Sequence, residues 1–171
     1  MENGPYLVAN KVLVEDNTIK SQLVQKGFGE KKEGYLVLDL FESLYLLRKK
    51  KISIRENKKN VTGKRLLELG QSQNKKFLPQ WAVFEDLRDR GYVVRTGFKF
   101  GFHFRVYPKG KRPGEEHSQW VIEVHDQHEK LSMPGLSRMV RMAQTLHTTL
   151  LIAIVDAENE VNYYAASRLV P

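Results

Sequence analysis

A tyrosine and a histidine stand ten residues apart, at the two ends of a basic loop. Tyr107 closes an alternating Phe-rich run, and His117 opens a second apolar run. Between them lie Lys109, Lys111 and Arg112, in a stretch that is also rich in Gly and Pro. Histidine can donate a proton to a leaving oxygen near neutral pH. A tyrosine hydroxyl, whose pKa is about 10, becomes a useful base where cations lower that pKa. The spacing therefore indicates acid–base chemistry on an anionic substrate.

RNA is the substrate that this chemistry favours. Cleavage of RNA through its own 2′-hydroxyl requires a base, an acid and a cation, and the segment supplies all three without a metal-ligand pattern. Arg105 and the three cations of the loop could lower the pKa of Tyr107 in this way. A plainer interpretation stays open: Tyr107 ends a strand with its ring packed and its hydroxyl in water, and His117 is an exposed loop histidine.

The other histidines and a late acidic turn could in principle hold a metal ion. His125 and His128 have a suitable spacing, but the chain contains no cysteine and no repeated ligand cluster. Asp156, Glu158 and Glu160 lie in one turn, where a solvated hairpin or a protein contact is the simpler interpretation. The sequence contains no phosphate-binding Gly loop and no dinucleotide fingerprint. We therefore predict neither a metal nor a cofactor.

Positive charge is concentrated in two segments of the chain. The formal net charge is +8. Residues 48–65 contain nine basic residues and one acid, and residues 95–112 contain six basic residues and no acid. Lys and Arg gain affinity for a polyanion by releasing counterions from its phosphates. A nucleic-acid partner is the natural inference, although either segment could be a solvated basic surface.

Length and hydropathy exclude several classes of protein. The chain has 171 residues, enough for one ordinary domain or two small ones. It contains no apolar run of the roughly 18 residues that a membrane span requires. The first residues lack the basic and apolar regions of a signal peptide. We expect an intracellular, cytoplasmic protein without disulfides.

The pattern of apolar residues predicts an α+β fold with two domains, 1–75 and 76–171. The first half reads as short strands followed by a helix that Asp39 caps, a solvated connection at 57–63 and a short helix at 64–69. The second half reads as a helix followed by a βββαββ order. Its predicted elements are a helix at Phe77–Arg90, strands at Val93–Thr96, Lys99–Tyr107 and Gln119–His125, a helix at Pro134–Thr148, and strands at Leu150–Val155 and Val161–Leu169.

From Tyr35 to the C-terminus, about four-fifths of its length, the chain resembles the archaeal tRNA-splicing endonuclease family, and six segments carry the resemblance. They read LDLFESLYLL, VFEDLRDRGYVVRTGFKFGFHFRVY, EHSQWVIEV, LSRMVRMAQTL, LLIAIVDAENEVNYY and SRLVP. The resemblance implies a small α+β N-terminal domain and a nuclease-like βββαββ C-terminal domain. It also implies excision of introns from precursor tRNA at a bulge-helix-bulge. That reaction leaves a 2′,3′-cyclic phosphate and a 5′-hydroxyl, without a metal.

The same resemblance assigns roles to individual residues. Tyr107 falls where the family has its general base, and His117 where it has its general acid. Arg141 and Arg168 match a pair of arginines that sandwich a bulge base, a contact for which guanidinium groups are well suited. The family has a lysine just before the strand LLIAIVD, where this chain has Thr148. That lysine would stabilise the charge of the phosphate in the transition state.

The threonine at position 148 has three explanations from sequence. The site is disabled, the chain is a noncatalytic subunit beside a complete partner, or another cation such as Lys109 or Lys111 takes the role. We predict a tRNA-intron endonuclease, with a noncatalytic structural RNA-binding subunit as the alternative. A generic basic RNA-binding module is a third interpretation.

Two further segments resemble the contact elements through which the family assembles. They are the apolar run Val161–Val170 and the acidic turn that contains Asp156, Glu158 and Glu160. An acidic turn on a basic chain has a complementary surface to bind. We expect a homo- or hetero-oligomer that binds its RNA partly through Lys109, Lys111 and Arg112.

Overall fold

The computed structural model describes residues 4–169, which form two compact units. One unit ends at Leu78 and the other begins at Pro79. Both combine helices with a sheet, so the predicted α+β class is confirmed. We keep 1–75 and 76–171 as a proposal for the limits of the independently folding domains.

The N-terminal unit is built on a sheet of short strands. These strands are β1 (Tyr6–Val8), β2 (Lys11–Val14), β3 (Glu30–Lys31), β4 (Leu36–Leu38), β5 (Arg55–Glu56) and β6 (Lys59–Asn60). Their order is β3-β4-β2-β1-β5-β6. Helices α1 (Asn17–Gln25), α2 (Leu40–Arg48) and α3 (Gly63–Gln73) complete the unit. Buried aliphatic residues of β2 and β4 stand opposite each other, Val12 with Leu38 and Val14 with Leu36, which fixes the register of the two strands.

Helix α2 begins where the sequence predicts. Asp39 accepts a hydrogen bond from the Glu42 backbone N–H at 2.8 Å, and the Glu42 carboxylate accepts one from the Asp39 N–H at 3.1 Å. This reciprocal pair is a capping box. The same carboxylate also accepts a 2.9 Å bond from the Gly29 N–H, so the buried Glu42 joins the loop before β3 to the helix.

The C-terminal unit has the predicted βββαββ order. Helix α4 (Phe77–Asp89) precedes β7 (Val93–Thr96), β8 (Phe104–Tyr107) and β9 (Trp120–Asp126). Helix α5 (Met133–Thr145) then connects β9 to β10 (Thr149–Val155), and β11 (Val161–Ala166) follows. The sheet order is β11-β10-β9-β8-β7. Only β9 and β10 are parallel among these strands, because α5 returns the chain to the end of the sheet where β9 began.

Two layers of apolar side chains hold this sheet. On one face, Phe84 of α4 packs against Phe104 of β8. Both side chains are fully buried, and their ring centroids are 5.9 Å apart. On the other face, α5 buries Met139 and Ala143 against Val121 and Leu150. The predicted apolar face of α5 therefore packs on the sheet.

Four details of the predicted secondary structure are wrong. The segment 17–25, expected as part of a run of short strands, is helix α1, with Asp16 accepting from the Ile19 N–H. The expected solvated connection at 57–63 contains the tight hairpin of β5 and β6. The strand expected at Lys99–Tyr107 begins only at Phe104, because Phe98–Phe100 forms a 3₁₀ turn that Gly101 ends in the left-handed conformation. The last helix ends at Thr145, so position 148 is not helical.

Candidate active site

Tyr107 and His117 line one cleft of about 470 Å³ in the C-terminal unit. Arg105, Phe100 and Leu146 line it as well, with the loop residues 113–116 and Ser118. The two residues that sequence reasoning paired as base and acid are therefore on the same surface, although a ten-residue loop separates them. His117 is exposed, whereas Tyr107 is only 3% exposed.

Sheet topology explains why several predicted residues come to one edge. Tyr107 is the last residue of β8, and the antiparallel β9 starts beside it, where the Gln119 N–H donates to the Val106 carbonyl at 2.8 Å. Strand β10 is parallel to β9 and so starts at the same edge, with the Thr149 N–H donating to the Gln119 carbonyl at 3.4 Å. His117 and Thr148 therefore both precede strands that begin at this edge.

The arginines predicted to bind a bulge base come from elements that reach the same edge. Ala166, near the end of β11, pairs with Leu150 near the start of β10, and the chain then continues to Arg168. Arg141 lies on α5, one turn before that helix ends at Thr145. Both arginines are exposed, but neither lines the cleft. Their approach to each other stays a prediction.

The chemical environment of Tyr107 differs from the expected one. Burial raises the pKa of Tyr107 above its ordinary value, and the nearby Arg105 and Arg95 oppose this change only in part. The Arg105 guanidinium carbon lies 5.6 Å from the centroid of the Tyr107 ring and 4.2 Å from that of Phe100. The prediction of a lowered pKa is wrong because removal of water from the phenol outweighs the two cations.

The cations of the loop have partners other than Tyr107. The Lys111 ammonium lies 3.8 Å from the Glu116 carboxylate, and Arg112 forms an ion pair with Glu115. The Lys109 ammonium lies over the ring of Tyr92, 5.2 Å from its centroid. The run of Lys and Arg in the loop indicated free positive charge. The two glutamates, adjacent to His117 in sequence, were the signal that two of its cations are paired.

Thr148 lies in the turn between α5 and β10. Its hydroxyl oxygen is buried, and it has no hydrogen-bond partner among the residues that the structure describes. The preceding residue, His147, is exposed and has a φ of 53°, in the left-handed region. Leu146 lines the cleft, but Thr148 does not. Position 148 therefore supplies no positive charge to the cleft, and its buried hydroxyl forms no hydrogen bond with the described residues.

The acidic turn has an internal structural role for one of its members. Asp156 accepts hydrogen bonds from the backbone N–H groups of Glu158 at 3.0 Å and Glu160 at 2.8 Å. The side chains of the two glutamates are exposed. Asp156 thus shapes the hairpin, and Glu158 and Glu160 present its charge to solvent.

The two histidines whose spacing could serve a metal contact neighbouring acidic residues of the chain. His125 lies 3.4 Å from a carboxylate oxygen of Glu129, while His128 donates its backbone N–H to Asp126. Within residues 4–169, no group of three or more His, Asp or Glu side chains is arranged to hold a metal ion. No helix in the same part of the chain is long and apolar enough to cross a membrane.

The fold consists of two units, each with helices and one sheet, and the cleft lies in the C-terminal unit. Residues 77–163 match the family model of the tRNA intron endonuclease catalytic C-terminal domain, and residues 5–67 match that of the N-terminal domain of the same enzyme. The chain belongs to the tRNA intron endonuclease family.

Archaeal relatives are similar over almost the whole chain. The tRNA-splicing endonuclease of Thermococcus gammatolerans is 39% identical over 93% of this chain and 94% of its own length. The tRNA-splicing endonuclease of Pyrococcus furiosus is 36% identical over 93% of this chain and 92% of its own length. The tRNA-splicing endonuclease of Methanococcus maripaludis is 36% identical over 90% of this chain and 87% of its own length. The resemblance seen in the sequence motifs is therefore confirmed.

Proposed function

We propose that this chain is a tRNA-intron endonuclease that cuts precursor RNA at bulge-helix-bulge splice sites. The observation that carries the proposal is the placement of Tyr107 and His117 in one cleft of the unit that matches the catalytic domain. The similar archaeal proteins named tRNA-splicing endonuclease support it. We place the protein in the cytoplasm, where precursor tRNA is its substrate.

The reaction that these residues support is a transfer within the RNA itself. The 2′-oxygen attacks the adjacent phosphorus, Tyr107 accepts the 2′-proton, and His117 donates a proton to the 5′-oxygen as the P–O5′ bond breaks. The products are a 2′,3′-cyclic phosphate and a 5′-hydroxyl. Tyr107 must first lose its own proton, and its raised pKa makes this loss costly. Arg105 reduces that cost because its guanidinium lies beside the phenol.

Recognition of the RNA is assigned to cations around the cleft. Arg141 and Arg168 would stack on a bulge base, and the elements that carry them approach the edge of the sheet where Tyr107 and His117 lie. Lys109, Lys111 and Arg112 would contact phosphates. Because Glu116 and Glu115 pair with the last two, RNA would have to compete with these carboxylates.

Thr148 favours a second candidate function. A threonine supplies no charge to the phosphate in the transition state, and loss of one preorganised stabilising group commonly costs about 10²- to 10³-fold in rate. The chain could therefore be a noncatalytic subunit that binds RNA beside a complete partner. An enzyme that another cation, such as Lys109 or Lys111, completes is the third explanation. We favour an endonuclease whose own site is impaired at position 148.

Incubation of the purified chain alone with a bulge-helix-bulge RNA in EDTA tests these proposals. Cleavage at the two bulges, with 3′ ends that resist phosphatase until the cyclic phosphate is opened, supports the enzyme. No cleavage alone, but cleavage after addition of a complete second subunit, supports the noncatalytic role. Binding without preference for bulged RNA, together with no cleavage in either mixture, would contradict both.

A further inference from the structure

The net positive charge of this protein lies in one short segment of the N-terminal unit. Residues 48–65 hold nine of the 28 basic residues and one of the 20 acidic residues. The rest of the chain therefore has nineteen of each and is balanced. Residues 1–78 have a net charge of +7 and residues 79–171 a net charge of +1, so almost all of the excess lies outside the unit that carries the cleft.

Local structure turns the charged side chains of this segment outward. The segment runs from the end of α2, through an extended stretch and the β5–β6 hairpin, to the first turn of α3. Ile52 and Ile54 are buried in the core, so the alternating Lys51 and Arg55 face solvent. At the hairpin, Asn57 and Lys58 both have positive φ, which gives a tight two-residue turn with an exposed tip.

The single acid of the segment does not neutralise this surface. Both carboxylate oxygens of Glu56 accept from the Arg65 guanidinium, at 3.0 and 3.1 Å. In contrast, Lys50, Lys51, Lys58 and Lys59 are exposed and form no ion pair with any carboxylate among residues 4–169. We refer to these four residues as the lysine surface.

The loop beside the cleft is different, since Glu115 and Glu116 pair with two of its cations. Long-range attraction of a polyanion depends on net charge and not on charges that are already paired. The lysine surface therefore carries more unpaired positive charge than the loop beside the cleft.

We infer that the lysine surface of the N-terminal unit binds the phosphates of paired RNA in the helices that flank the cleaved bulges. The inference rests on the proposed function for the identity of the RNA. It assigns a second nucleic-acid contact to the unit that lacks the cleft. Contact there adds affinity for a long folded precursor and leaves the chemical step unchanged, because no member of the surface belongs to the cleft.

The test uses the full chain and the quadruple variant K50Q/K51Q/K58Q/K59Q. A matched control, K11Q/K31Q/K75Q/K130Q, removes four exposed lysines elsewhere. A second variant, K50R/K51R/K58R/K59R, keeps the charge and reports on any damage to the fold. Binding is measured against salt concentration for a bulge-helix-bulge RNA with long paired arms and for one trimmed to minimal helices.

We expect the slope of log affinity against log salt to fall by roughly 0.7 to 0.9 for each lost contact with the long RNA. Affinity for that RNA should fall at least about tenfold near 0.1 M salt, in line with the loss of several phosphate contacts. The control and the arginine variant should keep the wild-type slope, and the trimmed RNA should show little change. The rate of cleavage within the saturated complex should also be unchanged.

An unchanged slope in the Gln variant, or an equal loss in the control, would overturn the inference. So would dissociation of an oligomer by the Gln variant with no change in RNA binding, because the surface would then bind a second copy. If the chain neither cuts alone nor supports cleavage beside a complete second subunit, but the slopes differ as expected, the proposed function fails and the lysine surface stands.

Discussion

The hydroxyl of Tyr163 on β11 donates a 2.7 Å hydrogen bond to the carboxylate of Asp86 on α4. Arg90, the residue that follows the end of α4, donates to the same carboxylate oxygen at 2.9 Å. The bond joins an edge strand to the helix beneath the sheet, across 77 positions of sequence. Burial, and then the carboxylate, raises the pKa of Tyr163 well above its ordinary value.

Replacement of Tyr163 by Phe should lower the free energy of unfolding by about 1–2 kcal/mol near pH 7, because a partly buried bond to a charged acceptor is lost. The folded pKa is raised, so this contribution is full below the unfolded pKa of about 10 and decreases as pH rises above it. The difference between wild type and Y163F in urea unfolding should therefore shrink above that pH. Tyr164→Phe, at an exposed neighbouring position, is the control and should change little.

The proposed transfer within the RNA predicts that the 2′-hydroxyl is essential. A substrate with 2′-deoxyribose at the scissile nucleotide should bind normally and stay uncut, whereas deoxyribose one nucleotide away should be cut. Tyr107→Phe and His117→Gln should each lower the single-turnover rate by about 10²- to 10⁴-fold, since each removes a proton-transfer group. Cutting of the scissile deoxy substrate would sink the mechanism.

Thr148→Lys should raise the cleavage rate by about 10²-fold or more if the site lacks only its cation. RNA affinity should change little, because the new charge acts mainly on the charge that develops at the phosphate. Thr148→Met provides a side chain of similar reach without the charge and should stay at the wild-type rate. If the unmodified chain already cuts rapidly, and Ala at Lys109 or Lys111 abolishes this, a substitute cation is at work instead.

Arg141→Ala and Arg168→Ala should each weaken recognition of the bulge by about 1–3 kcal/mol if the guanidinium stacks on a base. The measurement compares affinity for bulged RNA with affinity for a perfectly paired duplex. The double variant should bind both equally. Arg138→Ala, which removes an exposed arginine one turn earlier on α5, should keep the discrimination. Unchanged discrimination in the double variant would count against the sandwich.

The acidic turn should contribute to a dimer or tetramer in solution. Glu158→Gln with Glu160→Gln should shift sedimentation toward smaller species, because the exposed charge is lost while Asp156 still holds the turn. Glu33→Gln with Glu68→Gln removes two exposed acids of the N-terminal unit as a control. A wild-type protein that is already a monodisperse monomer at micromolar concentration would contradict the prediction. The other predicted contact element is the apolar run Val161–Val170, and its last residue, Val170, lies outside the described residues.

Local signals predicted most of the framework. Asp39 marked the start of α2 through its capping box, and the period of apolar residues located α4, β7 and α5 to within a few residues. Helix α1 was missed because only Leu23 of its nine residues is buried, which leaves almost no apolar period. The alternation of phenylalanines after Phe98 predicted a strand. The chain forms a turn there because Gly101 adopts a left-handed conformation that residues with a side chain seldom adopt.

The pairing of Tyr107 with His117 was predictable, and their electrostatics were not. The presence of basic residues in a loop does not show which of them form ion pairs with nearby carboxylates. Glu115 and Glu116 pair with two of its cations, and burial of Tyr107 depends on residues distant in sequence. Thr148 and His117 lie at the same edge of the sheet because β9 and β10 are parallel and begin at that edge. No local sequence pattern encodes this pairing.

The sheet order also sets the sequence of events as the chain leaves the ribosome. Strands β7, β8 and β9 form a local antiparallel meander that can assemble early, with β9 as its open edge. The partner of that edge, β10, emerges only after α5 has been made, and parallel pairing across a crossover is slow. Until then Ile122 and Val124 belong to an unprotected edge strand, so we expect the nascent chain to be most prone to aggregation before β10 pairs with β9.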